Sequence, residues 1–159
     1  MSKNNWLAVH NLKEKITSSE KKSATVLKDV EINIKTKLAV LWATVMFIYI
    51  YVDIFRFFQP GELQHILAGK VWVFDITQTW ALSAMIMMTV PSLLVFLSLV
   101  LKAKVNRWVN IIMGALHIVI AIGNVIGETW AYYIFGGVVK AVLLVLVVWY
   151  AWKWPTQEV

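Results

Sequence analysis

Ionisable and strongly polar side chains recur at helical spacing inside runs that are otherwise apolar. Asn110, Gly114, His117, Ala121, Asn124 and Glu128 follow one another at alternating steps of four and three. That spacing places small and polar groups on one face of a single helix. Trp42, Met46, Tyr49, Asp53 and Arg56 repeat the pattern, as do Tyr133, Gly137, Lys140 and Leu144. Gln78, Leu82, Met85, Thr89 and Ser92 follow it more weakly. Polar groups inside a membrane helix face protein or water rather than lipid. The four stripes are therefore expected to converge on one bundle axis, with Tyr49, Asp53, Arg56, Gln78, His117, Asn124, Glu128, Tyr133 and Lys140 as a polar pocket.

The chemistry open to such a set is binding, or proton and solute passage. We find no nucleophile–base arrangement and no phosphate loop, so no catalytic residue is assigned. A bundle haem normally needs an axial pair of ligands, and His117 has no second histidine within the spans. His117 and Glu128 stand eleven residues apart on one helix, about 16 Å, too far to share a metal. With no cysteine in the chain, thiol chemistry, iron–sulfur clusters and thiolate metal sites are excluded. The expectation is no metal and no cofactor. A purely structural reading stands beside the functional one: the same residues could be paired buried groups that fix helix register, or an interface to a partner subunit. Asp53 and Arg56, three residues apart, can pair with each other. Lys140 can lift its amine along its flexible stem toward Asp53, which predicts an Asp53–Lys140 contact, direct or through one water.

The elements that hold these residues are long apolar runs. The chain is 60% hydrophobic with a mean hydropathy of +0.69, whereas a soluble domain is nearer half apolar. The excess follows Lys37 in runs near the ~20 residues that cross a hydrocarbon core. Four spans are predicted, at about 38–58, 76–101, 108–127 and 130–152. The fold class is all-α, a membrane bundle of four transmembrane helices over residues 38–154, preceded by a basic arm at 1–37 and followed by a tail at 155–159. Pro91 lies inside the second span and is expected to bend it near Met87. Gly123 and Gly127 form a Gly-x-x-x-Gly, a signal for close helix contact.

Orientation follows from the basic residues. The arm holds eight lysines, the turn between spans two and three holds Lys102, Lys104 and Arg107, and the tail holds Lys153. The opposite side has only Arg56 and Lys70. By the positive-inside rule both termini are cytoplasmic. The net charge of +6 is thus read as orientation and attraction to anionic lipid headgroups through the N-terminal lysines, not as nucleic-acid binding. Trp6, Val9, Leu12 and Ile16 share one face of a candidate amphipathic helix, with a disordered tail as the alternative. Thr17-Ser18-Ser19-Glu20 reads as the start of a second short helix reaching Leu27. In the external loop 59–75, Pro60-Gly61 turns the chain and Leu63, Ile66 and Leu67 make a short helix that Gly69 ends. Val71-Trp72-Val73-Phe74 is too apolar for open solvent and is expected to lie on the membrane surface or cap the bundle.

A set of local runs carries a resemblance: Lys37-Leu38-Ala39-Val40-Leu41-Trp42, Pro60-Gly61, Pro91 to Lys102, Asn106-Arg107-Trp108, Tyr133-Ile134-Phe135-Gly136 and Trp149 to Pro155. Together these resemble a family of small uncharacterised bacterial four-helix integral membrane proteins, over about residues 35–156. The likeness implies a multi-pass protein of the bacterial inner membrane and no particular activity. A more distant similarity is to DoxX-type four-helix proteins, which implies a lipid- or quinone-linked setting without carrying any residue over. The leading expectation is a non-enzymatic membrane protein that binds or passes a small polar solute or proton through an outward-facing pocket. The alternatives are an accessory subunit of a larger membrane complex, a homo-oligomer, or a lipid- or quinone-linked enzyme component.

Overall fold

The structure is a computed structural model, and it describes residues 3–21 and 29–155. It falls into two units, 1–31 and 32–159. The first unit contains α1 (Lys3–Lys21), one amphipathic helix on which Trp6, Val9, Leu12 and Ile16 are all exposed. Thr17 to Glu20 lie within α1 rather than opening a new helix. Residues 22–28, where the second short helix was expected to continue, lie outside the described residues.

The second unit is an all-α bundle. Four of its helices are long and apolar enough to cross a membrane: α2 (Ile34–Arg56), α4 (Gln78–Val100), α5 (Ala103–Gly123) and α6 (Ala131–Trp152). Between α2 and α4 come α3 (Glu62–Leu67) and a two-residue hairpin, β1 (Lys70–Val71) paired antiparallel with β2 (Phe74–Asp75). The turn joining α4 to α5 is shorter than its sequence suggests. Leu101 and Lys102 alone make the connection, and Lys104 and Arg107 already lie on α5. We call this the basic end, and the end carrying α3 and the hairpin the loop end.

Local chemistry sets the boundaries. Asn33 opens α2 by accepting the Lys35 backbone N–H at 2.9 Å, and Thr77 opens α4 by accepting the Trp80 N–H at 3.1 Å; both are ordinary N-cap devices. Gly127, at φ 82°, follows α5 and turns the chain toward α6, in a region glycine enters freely. Helix α4 continues through Pro91, whose ring is buried. Thr44, Thr89 and Ser92 satisfy their hydroxyls on the carbonyls of Val40, Met85 and Met88 in their own helices. Back-bonding of this kind makes isolated hydroxyls tolerable in an apolar run.

Helix α2 packs on both α4 and α6, and α6 packs on α5, whereas α4 and α5 touch far less. The core is built from Leu38, Trp42, Val45, Tyr49, Leu94, Ala121, Leu144, Val147 and Ala151. Close approach rests on glycines that the sequence motif did not single out. A Cβ at Gly136 would collide with Val52, one at Gly137 with Val125, and one at Gly114 with Val148. Gly123 has open space where its side chain would be. The Gly-x-x-x-Gly reading is therefore corrected: Gly123 and Gly127 make no tight helix contact, since α5 ends there and turns away.

Candidate functional site

The polar stripes of α2, α5 and α6 meet inside the bundle, and they divide into a sealed half and an open half. At the basic end Trp42 Nε1 donates to Asn110 Oδ1 at 2.7 Å across the bundle. Asn110 Nδ2 donates to the Asn106 carbonyl at 2.9 Å and to Asn106 Oδ1 at 2.7 Å. Asn106 Nδ2 in turn donates to the Ser98 carbonyl at 2.6 Å, and the Ser98 hydroxyl reaches Asn110 Oδ1 at 3.4 Å. All four side chains are buried. The Lys35 amine adds two more contacts, to the Leu99 and Leu101 carbonyls at 3.3 and 2.7 Å. These bonds satisfy carbonyls that the end of α4 would otherwise leave unpaired. A fully satisfied buried network fixes helix register and fills the space a pathway would need.

The middle of the bundle is an aromatic and cationic cluster. His117 is 1% exposed and Lys140 2%. The His117 ring meets Trp42 edge-on, with centroids 5.7 Å apart, and its Nδ1 lies 3.5 Å from the Tyr49 hydroxyl. The Lys140 ammonium rests 4.2 Å from the centroid of the Tyr49 ring and 5.8 Å from that of Tyr133. Desolvated ammonium–aromatic contacts of this kind are worth about 2 kcal/mol each. They partly offset the removal of a charge from water.

The loop end holds a cleft of about 330 Å³ lined by Arg56, Trp72, Asn124, Ile126, Gly127, Glu128 and Tyr133. Tyr133 joins the cleft to the buried cluster, because the Arg56 guanidinium stands 5.9 Å from the same ring that Lys140 faces. Arg56 is ion-paired with Glu62 at the start of α3. Glu128 accepts the backbone N–H groups of Thr129 and Trp130, at 3.0 and 3.2 Å. It thereby helps to close the start of α6, where a carboxylate is favourable. Gln59 Nε2 donates to the Tyr132 hydroxyl at 2.8 Å and ties the loop to α6.

Four of the nine expected pocket residues line this cleft, Arg56, Asn124, Glu128 and Tyr133, while Tyr49, His117 and Lys140 form the buried cluster that Tyr133 adjoins. Two do not share their surroundings. Asp53 is exposed on the last turns of α2. It forms an ion pair with neither Lys140 nor Arg56. The direct Asp53–Lys140 contact is thus absent, as is the Asp53–Arg56 pair. Lys140 finds tyrosine faces instead, and the chain reversal at Pro60–Gly61 brings Glu62 to Arg56. Gln78 is exposed at the start of α4, because the buried line of α4 runs through Pro91, Leu94 and Ser98 rather than through its weak polar stripe. Among the described residues no three His, Asp or Glu side chains assemble as a metal site requires.

Sequence reasoning missed four contributors, Glu62, Ile126, Gly127 and Trp72. Glu62 carried no signal, since its partner depends on how the loop folds back. Ile126 and Gly127 form one wall through the turn between α5 and α6. Trp72 lies at the turn of the hairpin with φ 51°, a left-handed conformation that costs a non-glycine residue about 1 kcal/mol or more. Its indole reaches the cleft wall, so the strain accompanies a wall position. The apolar run Val71–Phe74 was the only hint of it.

Comparison with known proteins gives no match to a curated protein and none to a solved structure. One family does match, described as a family of unknown function (DUF6326), and it covers residues 27–159. With that span including the whole bundle, the chain belongs to this family of unknown function.

Proposed function

We propose that the protein is a multi-pass protein of the bacterial inner membrane that binds a small polar solute, or accepts a proton, in a pocket open to the outside. The basic end faces the cytoplasm in this reading, together with both termini, from the charge asymmetry. The observation that carries it is the contrast between the two ends. A polar cleft over Tyr133 leads toward a buried ammonium at the loop end, and a satisfied Trp42–Asn110–Asn106–Ser98 network fills the basic end. A through-channel is disfavoured by that network. A binding or gating role is favoured by Lys140, which no carboxylate among the described residues contacts.

The chain has no cysteine, so single cysteines can be introduced cleanly. Asn124→Cys is expected to react with a membrane-impermeant thiol reagent added to intact cells, and Val45→Cys, buried in the sealed half, is expected not to. Reaction of Asn124→Cys only after permeabilisation would overturn the outward-facing pocket.

A further inference from the structure

A second cleft lies at the other end of the bundle, apart from the pocket above. It has a volume of about 290 Å³ and is lined by Ala103, Lys104, Arg107 and Trp108 from the first turns of α5, and by Trp154 and Pro155 just beyond α6. We propose that this cleft binds the phosphate of an anionic phospholipid headgroup.

Four observations carry the proposal. First, neither cation is neutralised. No carboxylate among the described residues pairs with Lys104 or Arg107, so both face the cleft without one. Second, Arg107 Nε is enclosed by protein and has no hydrogen-bond partner, the sole such side-chain atom among the described residues. An enclosed guanidinium N–H without an acceptor is costly, and an arginine fork suits two oxygens of one phosphate. Its Cζ stands 5.9 Å from the centroid of the Trp152 ring. Third, α5 starts at this cleft with no side-chain cap and no acidic residue in its first turn. Its free N–H groups and positive dipole end therefore add to the two side chains.

The fourth observation separates a lipid from free phosphate. Val105, Trp108, Ile112, Leu116 and Val119 are all exposed along α5, an apolar ridge that begins at the cleft and runs toward the loop end. A headgroup in the cleft leaves its acyl chains beside that ridge, whereas inorganic phosphate would use none of it. The indoles of Trp108, Trp152 and Trp154 mark the headgroup level, where tryptophan is enriched. Basic pockets at the cytoplasmic ends of transmembrane helices are suited to such headgroups.

The test is lipid binding by the intact purified protein in neutral detergent, counted by native mass spectrometry with phosphatidylglycerol and phosphatidylcholine in competition. Retention of phosphatidylglycerol in preference to phosphatidylcholine is expected. Arg107→Gln and Lys104→Gln should each weaken it roughly five-fold, and the double variant on the order of twenty-fold. Lys153→Gln, at the same end but outside the cleft lining, should leave it unchanged. Unfolding curves on the same preparations verify that the variants are folded, and Arg107→Lys, which keeps the charge and loses the fork, should give an intermediate loss. Equal losses from Lys153→Gln would reduce the effect to diffuse charge and overturn the site. So would wild-type retention by the double variant. Displacement of the lipid by millimolar inorganic phosphate alone would assign the cleft to free phosphate instead.

Discussion

Lys140 shows how a charge is accommodated at depth without a counter-ion in contact. Its ammonium lies on the Tyr49 ring and near the Tyr133 ring, while Asp53 stays exposed one turn farther along α2. The energetic coupling of Lys140 should therefore run to the tyrosines. In a double-mutant cycle, Lys140→Met with Tyr49→Leu is expected to show about 1–2 kcal/mol of coupling. Lys140→Met with Asp53→Asn should show less than about 0.5 kcal/mol. Unfolding in detergent measures both, and a larger Asp53 coupling would restore a water-bridged pair. Asn110 presents the opposite case, with every amide atom engaged. Asn110→Ala strands the Trp42 indole N–H in the core and should cost about 1–3 kcal/mol. The sequence placed Asn110, His117 and Lys140 inside the bundle because helical period reports burial. It did not identify their partners, since the choice between Asp53 and Tyr49 depends on side-chain rotamers.

At the scale of elements, the spacing argument worked where polar and apolar residues alternate and failed where they do not. Helix α5 mixes asparagine, glycine and histidine among isoleucines, and the buried Asn110, Gly114, His117 and Ala121 fall on the expected line. Helix α4 is nearly uniform in hydropathy, so its weak polar stripe held no information, and Gln78, Leu82 and Met85 are exposed. Glycine spacing misled for a related reason. Motif spacing records that a close approach is possible, and only the neighbouring helix decides whether it occurs. Gly137→Ala should therefore destabilise the protein by about 1–3 kcal/mol through its collision with Val125. Gly123→Ala should be neutral or stabilising by up to about 1 kcal/mol, as its position is open. Thermal unfolding of the two variants side by side checks the ordering. Helix α1 exposes Trp6, Val9, Leu12 and Ile16, and if the lysine-rich arm binds anionic surfaces this face would enter them. A polarity-sensitive dye on Leu12→Cys should shift to the blue in nanodiscs containing phosphatidylglycerol. High salt should reverse part of that shift.

For the whole molecule, the count of spans and the all-α class were legible because bilayer thickness fixes helix length. The unequal packing of the four helices was not legible, since it is a property of no single segment. Helix α4 is buried only from Pro91 onward, and its last carbonyls are held by Asn106 and Lys35. Its first half meets the rest through half-buried residues such as Trp80, Ala84 and Met88. Pro91 also removes the backbone bond to Met87 at the junction of these halves. Helix α4 is accordingly expected to move as a lever pinned at one tip, with its pivot at the proline. Amide exchange along it should fall steeply from Gln78 toward Ser98, and replacing Pro91 with alanine should flatten that gradient by stiffening the pivot. The fastest-opening seam of the protein would then lie between α4 and α5. Lipid could enter the bundle sideways through that seam without passing either end.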